Sequence, residues 1–520
     1  MKRKFTLLFA GFLFFILPVI GQTTYMHAYT SLNGSRAAIT LNLPGGFLLT
    51  GGKTNSFTAS DQDMLLVKTD TLGNIAWVKT IGTSDDDEIL SMVYDGISDI
   101  AVLARSNVSG VYQYTFMMMD LTGNVSIQRT FSLNTGLNFA KMTMLATGNF
   151  LVYGTSGNKI VLLSLTPVTA DNWMKDISID APSTSLSSID ATQMVNGNIA
   201  LLVNYALGGP LTNSVFYLVF VDGTGTLVNS IAYSSTVDVS TNKIYCSPSN
   251  GNLYVVGTAN SSRILLVKLT DSGSVTWSKS YDPAFLSFAY AGDAIFDPVT
   301  DRFSVLGYTI GPGFEVSTYD NDGNFLWNNG GPTYTESPVA ITRSDDGNLF
   351  VTGTLPSLTT GMNDVFVCRI LANGRTCSQS ANVIPLTSNY TVSGAPEAFT
   401  DNGSPTLTDI TLTFTSLTHS LSNDVACTYA VGVDEFVSNN KINIVSTLVN
   451  EKLSFSYYGI TASGAQVSVR DLSGRIIVKK MYDASEEIQQ LDVSDLSSGL
   501  YLLTISGDEN SVSQKFVVQK

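Results

Sequence analysis

The chain is poor in the residues that most often carry chemistry. Its 520 residues include two histidines and four scattered cysteines. That argues against a His-rich metal centre, and no cysteine pair has the close double spacing of a zinc site. Basic residues are also scarce: 28 Lys+Arg stand against 43 Asp+Glu, a net charge of −15. Nucleic acid needs a basic face, so it is excluded as a partner. No Gly-x-Ser-x-Gly elbow, His-Glu-x-x-His helix or phosphate loop is present. No cofactor is expected. Charged residues make up only 14% and apolar ones 44%, which is not the composition of a disordered chain. The length allows two or three domains.

The one long apolar run is at the start. Lys2, Arg3 and Lys4 precede Phe5 to Ile20, a run broken by Gly11 and Pro18 and ending at Gly21 before Gln22. This is the layout of a signal peptide over residues 1–21. At roughly 16 residues the run is short for a membrane span, which needs about 20. An uncleaved anchor is the alternative. No later run is long enough to cross a bilayer, so the mature chain is expected outside the cytoplasm without a transmembrane anchor.

The middle of the chain repeats. A Gly- or Asn-bearing turn, a short apolar run and a small residue recur: Gly46 to Gly51, Asn149 to Gly154, Gly251 to Gly257, Arg302 to Gly307 and Gly347 to Gly353, with weaker copies at Ile100 to Ala104 and Gly197 to Leu202. Their ends lie about 50 residues apart, which fits propeller blades. A second run follows in each unit, such as Met64 to Val67 or Ile264 to Val267. Its apolar residues are consecutive, so both faces of that strand should be buried. Then come an Asp/Gly turn, a third strand with Trp77, Trp173, Trp277 or Trp327, and a more polar fourth strand such as Ile89 to Tyr94. Seven such units fit before about Pro385. The runs Tyr25 to Thr30 and Ala37 to Leu41 read as third and fourth strands of a unit begun at the far end of the array. They would close the ring. Six or eight blades remain open. The expected fold is all-β: a seven-bladed β-propeller over 22–385, followed by a small Ig-like β-sandwich.

The units resemble propeller repeats of large surface proteins of Gram-negative bacteria, as in Leu66-Val67-Lys68-Thr69-Asp70 through Trp77-Val78-Lys79. That resemblance implies a fold and no activity. The turns do not follow sialidase Asp-box spacing. Asp320-Asn321-Asp322-Gly323-Asn324 suggests a calcium loop, but its equivalents read as plain hairpin turns. The acidic run Asp85 to Glu88 reads as a solvated loop. Cys246 and Cys368 read as small buried hydrophobes. In an exported chain Cys377 and Cys427 can pair as a disulfide.

Composition shifts after Pro385. Residues 386–431 are dense in Ser and Thr and read as a linker or as extra strands on the last blade. Seven short strand-like runs fill 432–520, which fits an Ig-like sandwich. The pieces Val467 to Arg475, Leu491 to Tyr501 and Lys515 to Val518 resemble the type A C-terminal sorting domain of type IX secretion. Asp471, Gly474, Leu496, Gly499, Tyr501 and Lys515 carry the motif. Asp471 to Gly474 forms a hairpin turn, and Gly499 permits a tight start to the strand from Leu500. Asn443 to Thr447 stands where that family usually carries Tyr-Pro-Asn-Pro. The resemblance implies the outer-membrane secretion machinery as partner, and surface attachment or release.

For the propeller two functions stand. One is non-enzymatic binding or adhesion through a loop face, with an extracellular carbohydrate or protein as ligand. The other is a secreted hydrolase acting on glycans through paired carboxylates in the central channel. His27 and His419 lie outside the clear repeats and give a His-based triad no home.

Overall fold

The computed structural model describes residues 23–520 except 31–33, 56–60, 134–135, 169, 180–184, 207–214, 283–289, 309–312, 332–336, 358–360, 378–386, 390, 397, 406, 420, 431–440, 445–447, 459–464, 472–474, 483–488 and 507–510. Residues 1–21, expected from the sequence to be a signal peptide, lie outside the described residues. The chain divides into two compact units, 1–431 and 432–520. No described residue is helical.

The first unit holds seven antiparallel sheets. Six are four consecutive strands each: Ser35 to Gly82, Asp86 to Leu133, Asn138 to Ile179, Ser185 to Ser235, Val239 to Tyr281 and Tyr290 to Gly330. These are sheets one to six. Sheet seven has three consecutive strands from Ser337 to Ile370, and Thr23–Thr30 as its fourth. The first strand of each sheet packs on the first strand of the next, and that of sheet seven packs on that of sheet one. The ring is closed, with first strands innermost.

There is no single core. Seven clusters of buried side chains lie one in each gap between successive sheets. Third strands feed two clusters at once. Leu65 and Val67 enter the gap to sheet seven, while Met64 and Leu66 enter the gap to sheet two. All four are at most 2% exposed. This is why their apolar residues are consecutive rather than alternating.

The Trp and the Asp/Gly turn are the two halves of one lock. Gly123, Gly225, Gly323 and Gly374 turn the chain at φ of +72 to +86°, a region open to glycine. Each lies under an aromatic of the preceding sheet. A Cβ on Gly123 would sit 2.9 Å from Trp77, and one on Gly323 would sit 2.8 Å from Trp277. Gly225 meets Trp173 and Gly374 meets Trp327 in the same way. Hydrogen bonds reinforce the contact. Trp77 Nε1 donates to the Leu121 carbonyl (3.3 Å), Trp173 Nε1 to the Gly223 carbonyl (2.9 Å), and Tyr281 Oη to the Gly323 carbonyl. The turn Asp shapes the loop: Asp320 accepts from the backbone of Asp322 (3.0 Å) and Asn324 (2.7 Å), as Asp70 and Asp120 do at equivalent positions.

The N-terminal strand supplies the last lock. Tyr29 Oη donates to the Gly73 carbonyl at 2.9 Å, and Tyr25 Oη to the Thr71 carbonyl at 3.2 Å. His27 Nδ1 lies 3.3 Å from the Gly73 carbonyl. The expected pairing of Tyr25–Thr30 with the far end of the array therefore holds. The strand after it does not follow: Ala37 to Leu41 lies within Ser35–Leu43, the innermost strand of sheet one. The same offset corrects every unit. The polar fourth strand of the sequence repeat, as Ile89 to Tyr94, is the first strand of the next sheet. Its polarity comes from its innermost place, where one neighbour strand is missing.

The Ser/Thr-rich stretch is a belt. Thr387–Asn389 pairs with the outer strand of sheet five, Val392–Pro396 with sheet four, Phe399–Asp401 with sheet three, Leu407–Ile410 with sheet two and Thr415–His419 with sheet one. Ser422–Ala430 then covers Thr23–Thr30 of sheet seven. The chain thus runs back around the ring in reverse order, adding a fifth strand to six sheets.

In the second unit Lys441–Ile444, Lys452–Tyr458 and Gln489–Asp492 form one sheet. Leu448–Val449, Ser511–Val518, Gly499–Ser506, Ala465–Arg470 and Ile476–Tyr482 form the other. Their facing sides share one core around Leu453, Phe455, Val469 and Phe516.

The lock can be tested by contrast. Gly148 also has positive φ (+80°), but nothing lies within 4 Å of a Cβ there. Gly148→Ala should cost about 1–2 kcal/mol, the left-handed penalty alone. Gly323→Ala should cost about 1–3 kcal/mol more, because Trp277 must move. Urea denaturation of the two variants checks this; equal losses would mean that the turn bears no packing.

Candidate functional site

The innermost strands carry the polar groups nearest the axis. All seven contain a register shift against their second strand, between Ala37/Ile39, Ile89/Ser91, Asn138/Lys141, Leu186/Ser188, Thr241/Lys243, Ala291/Asp293 and Pro338/Ala340. Such bulges re-aim the side chains that follow. Four of those side chains form two ion pairs across sheets. Lys141 of sheet three lies 3.4 Å from Asp190 of sheet four, and Lys243 of sheet five lies 2.9 Å from Asp293 of sheet six.

Both carboxylates are further engaged. Asp190 accepts from Tyr153 Oη at 3.3 Å and from the Ile244 amide of the next sheet at 3.0 Å. Asp293 accepts from the Ile341 amide of sheet seven at 2.9 Å. Ser91 exchanges hydrogen bonds with the Met142 backbone in the same manner. The innermost polar side chains therefore staple each sheet to its neighbour. Burial would lower the Lys243 ammonium, but Asp293 and Asp190 hold its proton well above the ordinary lysine range. Burial lowers Lys141, with Asp190 opposing. Burial and the Asp190 charge both push the Tyr153 phenol up. An acid/base pair for glycoside hydrolysis needs two carboxyls free to reach substrate. Asp190 and Asp293 are instead spent on lysines and backbone amides.

One face of the ring carries a groove over sheets seven, one and two. It consists of two cavities of about 250 and 220 Å³ that share Lys53 and Gln62 as a common wall. Glu88 sits between Lys53 (3.2 Å) and Arg105 (2.9 Å to Nε). Burial would raise the Glu88 carboxyl, but Arg105 and Lys53 hold it below the usual carboxylate range. The Arg105 guanidinium lies 4.2 Å from the ring centre of Tyr112, which is half-exposed. The acidic run is thus not a solvated loop. Asp87 is 1% exposed and accepts from the Thr83 amide (2.6 Å) and Thr83 Oγ1 (2.9 Å). Asp86 accepts from the Gln62 amide at 3.0 Å. Sequence alone missed this because the partners, Lys53 and Arg105, lie on other strands. A wider recess of about 590 Å³ lies at the belt, where Arg129 joins Asp171 of sheet three (2.5 Å) to Asp409 of the belt (2.9 Å).

The remaining sequence-derived positions are spread out. The structure joins Cys377 to Cys427, with Cα atoms 5.9 Å apart; Cys246 and Cys368 are not part of a disulfide. His419 is on the belt, its Nε2 2.7 Å from Thr80 Oγ1. In the second unit Asp471 accepts from the Arg475 amide at 3.0 Å, closing a turn whose Gly474 lies outside the described residues. Leu496 and Tyr501 are buried, Tyr501 Oη donates to the Ser497 carbonyl at 2.9 Å, and Lys515 is exposed. Gly499 is not required by a tight strand start. Its φ is outside the left-handed region, and a Cβ would meet Tyr501 and Ser497 only at 3.7–4.0 Å, an ordinary contact. Among the described residues no group of three or more His, Cys, Asp or Glu converges as a metal site.

Comparison with known proteins assigns the end of the chain. Residues 438–519 match the secretion system C-terminal sorting domain. No curated protein matches the chain. Solved structures resemble it loosely. The polysaccharide lyase Uly1 has 8% identity and a TM-score of 0.40, covering 66% of this chain and 99% of that one. The β-propeller domain of the Trilobed protease from Pyrococcus furiosus has 11% identity and a TM-score of 0.37, covering 66% and 97%. The α-L-arabinofuranosidase Arb93A from Fusarium graminearum has 12% identity and a TM-score of 0.39, covering 68% and 98%. At these values the likenesses assign no activity.

Asp190→Asn tests the stapling role. It removes the charge facing Lys141 and weakens the bond to the Ile244 amide. A loss of about 1–3 kcal/mol in urea denaturation is expected, since Asp190 is buried while Lys141 is partly exposed and asparagine keeps an acceptor for the amide. A change under about 0.5 kcal/mol would contradict the role.

Proposed function

We infer from the sorting-type domain at its C-terminal end that this chain is cargo of type IX secretion, bound for the cell surface or the extracellular space. From that premise we propose that the first unit is a seven-bladed β-propeller, that the second is an Ig-like sorting domain, and that the propeller binds an extracellular ligand without catalysis. The closed ring of seven sheets supports the blade count. Two facing sheets around one core support the sandwich. The observation that carries the binding reading is the state of Asp190 and Asp293, which follow the bulges of their innermost strands: each is committed to a lysine and to a backbone amide. A rigid ring with a polar groove on its loop face suits recognition. A hydrolase acting through the channel would need those two residues released from their partners.

Two finer points belong to the same reading. Residues 1–21 are a signal peptide removed before Gln22. The Cys377–Cys427 disulfide forms on export, where thiols oxidise. It fastens the far end of the belt, on sheet seven, to the residues from which the belt departs.

One set of measurements tests the route. Secreted protein, alkylated after denaturation without reductant, should begin at Gln22 and carry label on Cys246 and Cys368 only. Deleting 432–520 should leave the protein in the periplasm. Normal surface delivery of the deletion, or label on all four cysteines, would refute the corresponding point.

A further inference from the structure

We propose that the groove over sheets seven, one and two is a subsite for an acidic saccharide, with its anionic group at Arg36 and its hydroxyl-bearing body beside Tyr112. The inference rests on the binding reading above and names the ligand class.

The two cavities differ in charge. Among the described residues the first is lined by Arg36 and Lys53 with no carboxylate, by Met362, and by small polar groups such as Ser35, Asn55 and Asn363. Arg36 is exposed and has no ion-pair partner among the described residues. Lys53 is paired with Glu88 of the neighbouring cavity, which leaves the Arg36 guanidinium as the unopposed cation of this one among the described residues, in a chain of net charge −15. A guanidinium beside amide and hydroxyl groups suits a carboxylate or sulfate, which it holds through paired hydrogen bonds.

The second cavity reverses the balance. Asp86, Asp87 and Glu88 line it, Glu88 paired with Arg105, and Tyr112 and Asn107 complete the wall. The Asn107 Oδ1 is buried there without a hydrogen-bond partner. Carboxylates and an amide oxygen accept hydrogen bonds, so this end suits a hydroxyl-rich group. The half-exposed Tyr112 ring, one side of which carries the Arg105 guanidinium, offers apolar surface that loses little entropy on binding. Lys53 and Gln62 join the two ends.

The groove therefore runs from cationic to hydroxyl-accepting. An acidic peptide fits poorly, because a second acidic residue would meet Asp86 and Glu88. An apolar peptide is poorly matched, since Met362 and Tyr112 are the only large apolar side chains in the lining among the described residues. The combined volume falls in the roughly 300–1,000 Å³ range of small-molecule sites, enough for a short oligosaccharide segment.

The test uses the mature secreted protein and three probes in calorimetry: tetragalacturonate, its fully methyl-esterified neutral form, and a poly-glutamate peptide of similar charge. Tetragalacturonate alone should bind. Its affinity should fall about tenfold with Arg36→Ala, fall again with Tyr112→Ala, and weaken as salt rises from roughly 50 to 500 mM. Both side chains are surface groups, and unchanged melting of the variants would show that they fold. Tetragalacturonate binding that survives both substitutions would overturn the site. Preference for the neutral ester or the peptide would overturn the ligand class while leaving a binding function in place. If none of the three binds, the acidic-saccharide subsite falls. Screening the same protein against neutral glycans and extracellular proteins then decides the broader reading on its own.

Discussion

A sheet that is apolar on both faces cannot be the last in a row. Each of the seven sheets buries third-strand residues in two clusters, one on either side, so each needs two neighbours. A linear stack would leave two apolar faces in water. At about 25 cal/mol per Å² of apolar surface, exposing even one would be costly. The ring satisfies every sheet at once. What decides whether it stays shut is the junction of sheets seven and one, where sheet seven takes its fourth strand, Thr23–Thr30, from the opposite end of the chain.

The junction is reinforced in layers. Thr23–Thr30 pairs with Asn363–Ile370 on one side and with Ser422–Ala430 of the belt on the other. Tyr25, His27 and Tyr29 dock on the Thr71–Gly73 turn as the aromatics of other sheets dock on theirs. Thr30 Oγ1 donates toward Asp364 of sheet seven (3.0 Å) and Asp424 of the belt (2.7 Å). The belt also covers outer strands that would otherwise present open edges. Binding at a loop face asks for such a frame: the groove draws residues from sheets seven, one and two, so its shape depends on the closing junction.

Much of this was legible in the sequence, for specific reasons. The third strands were found because burial on both faces leaves consecutive apolar residues, as in Leu65-Leu66-Val67. The turns were found because positive φ selects Gly at positions such as Gly73 and Gly323. The strand offset was missed because the repeat is most visible at its apolar runs, whereas a sheet begins with its polar innermost strand. The belt was legible only as composition: its strands are short, pair with distant partners and bury little, so no periodicity announces them. The groove was invisible for a similar reason. Glu88 reads as one of four surface acids until Lys53 and Arg105 are brought to it from other strands.

The axial Lys–Asp pairs and the outer locks do the same work at two radii: they hold sheets together and leave the loop face to make contacts. The account's central claim is that the N-terminal strand is an integral part of the ring. Native-state hydrogen exchange on the mature protein tests it most directly. Amides of Thr23–Thr30 should be protected to the same degree as those of Asn363–Ile370 and should open with them. Exchange of Thr23–Thr30 through an independent low-energy opening, with the other sheets still protected, would contradict it.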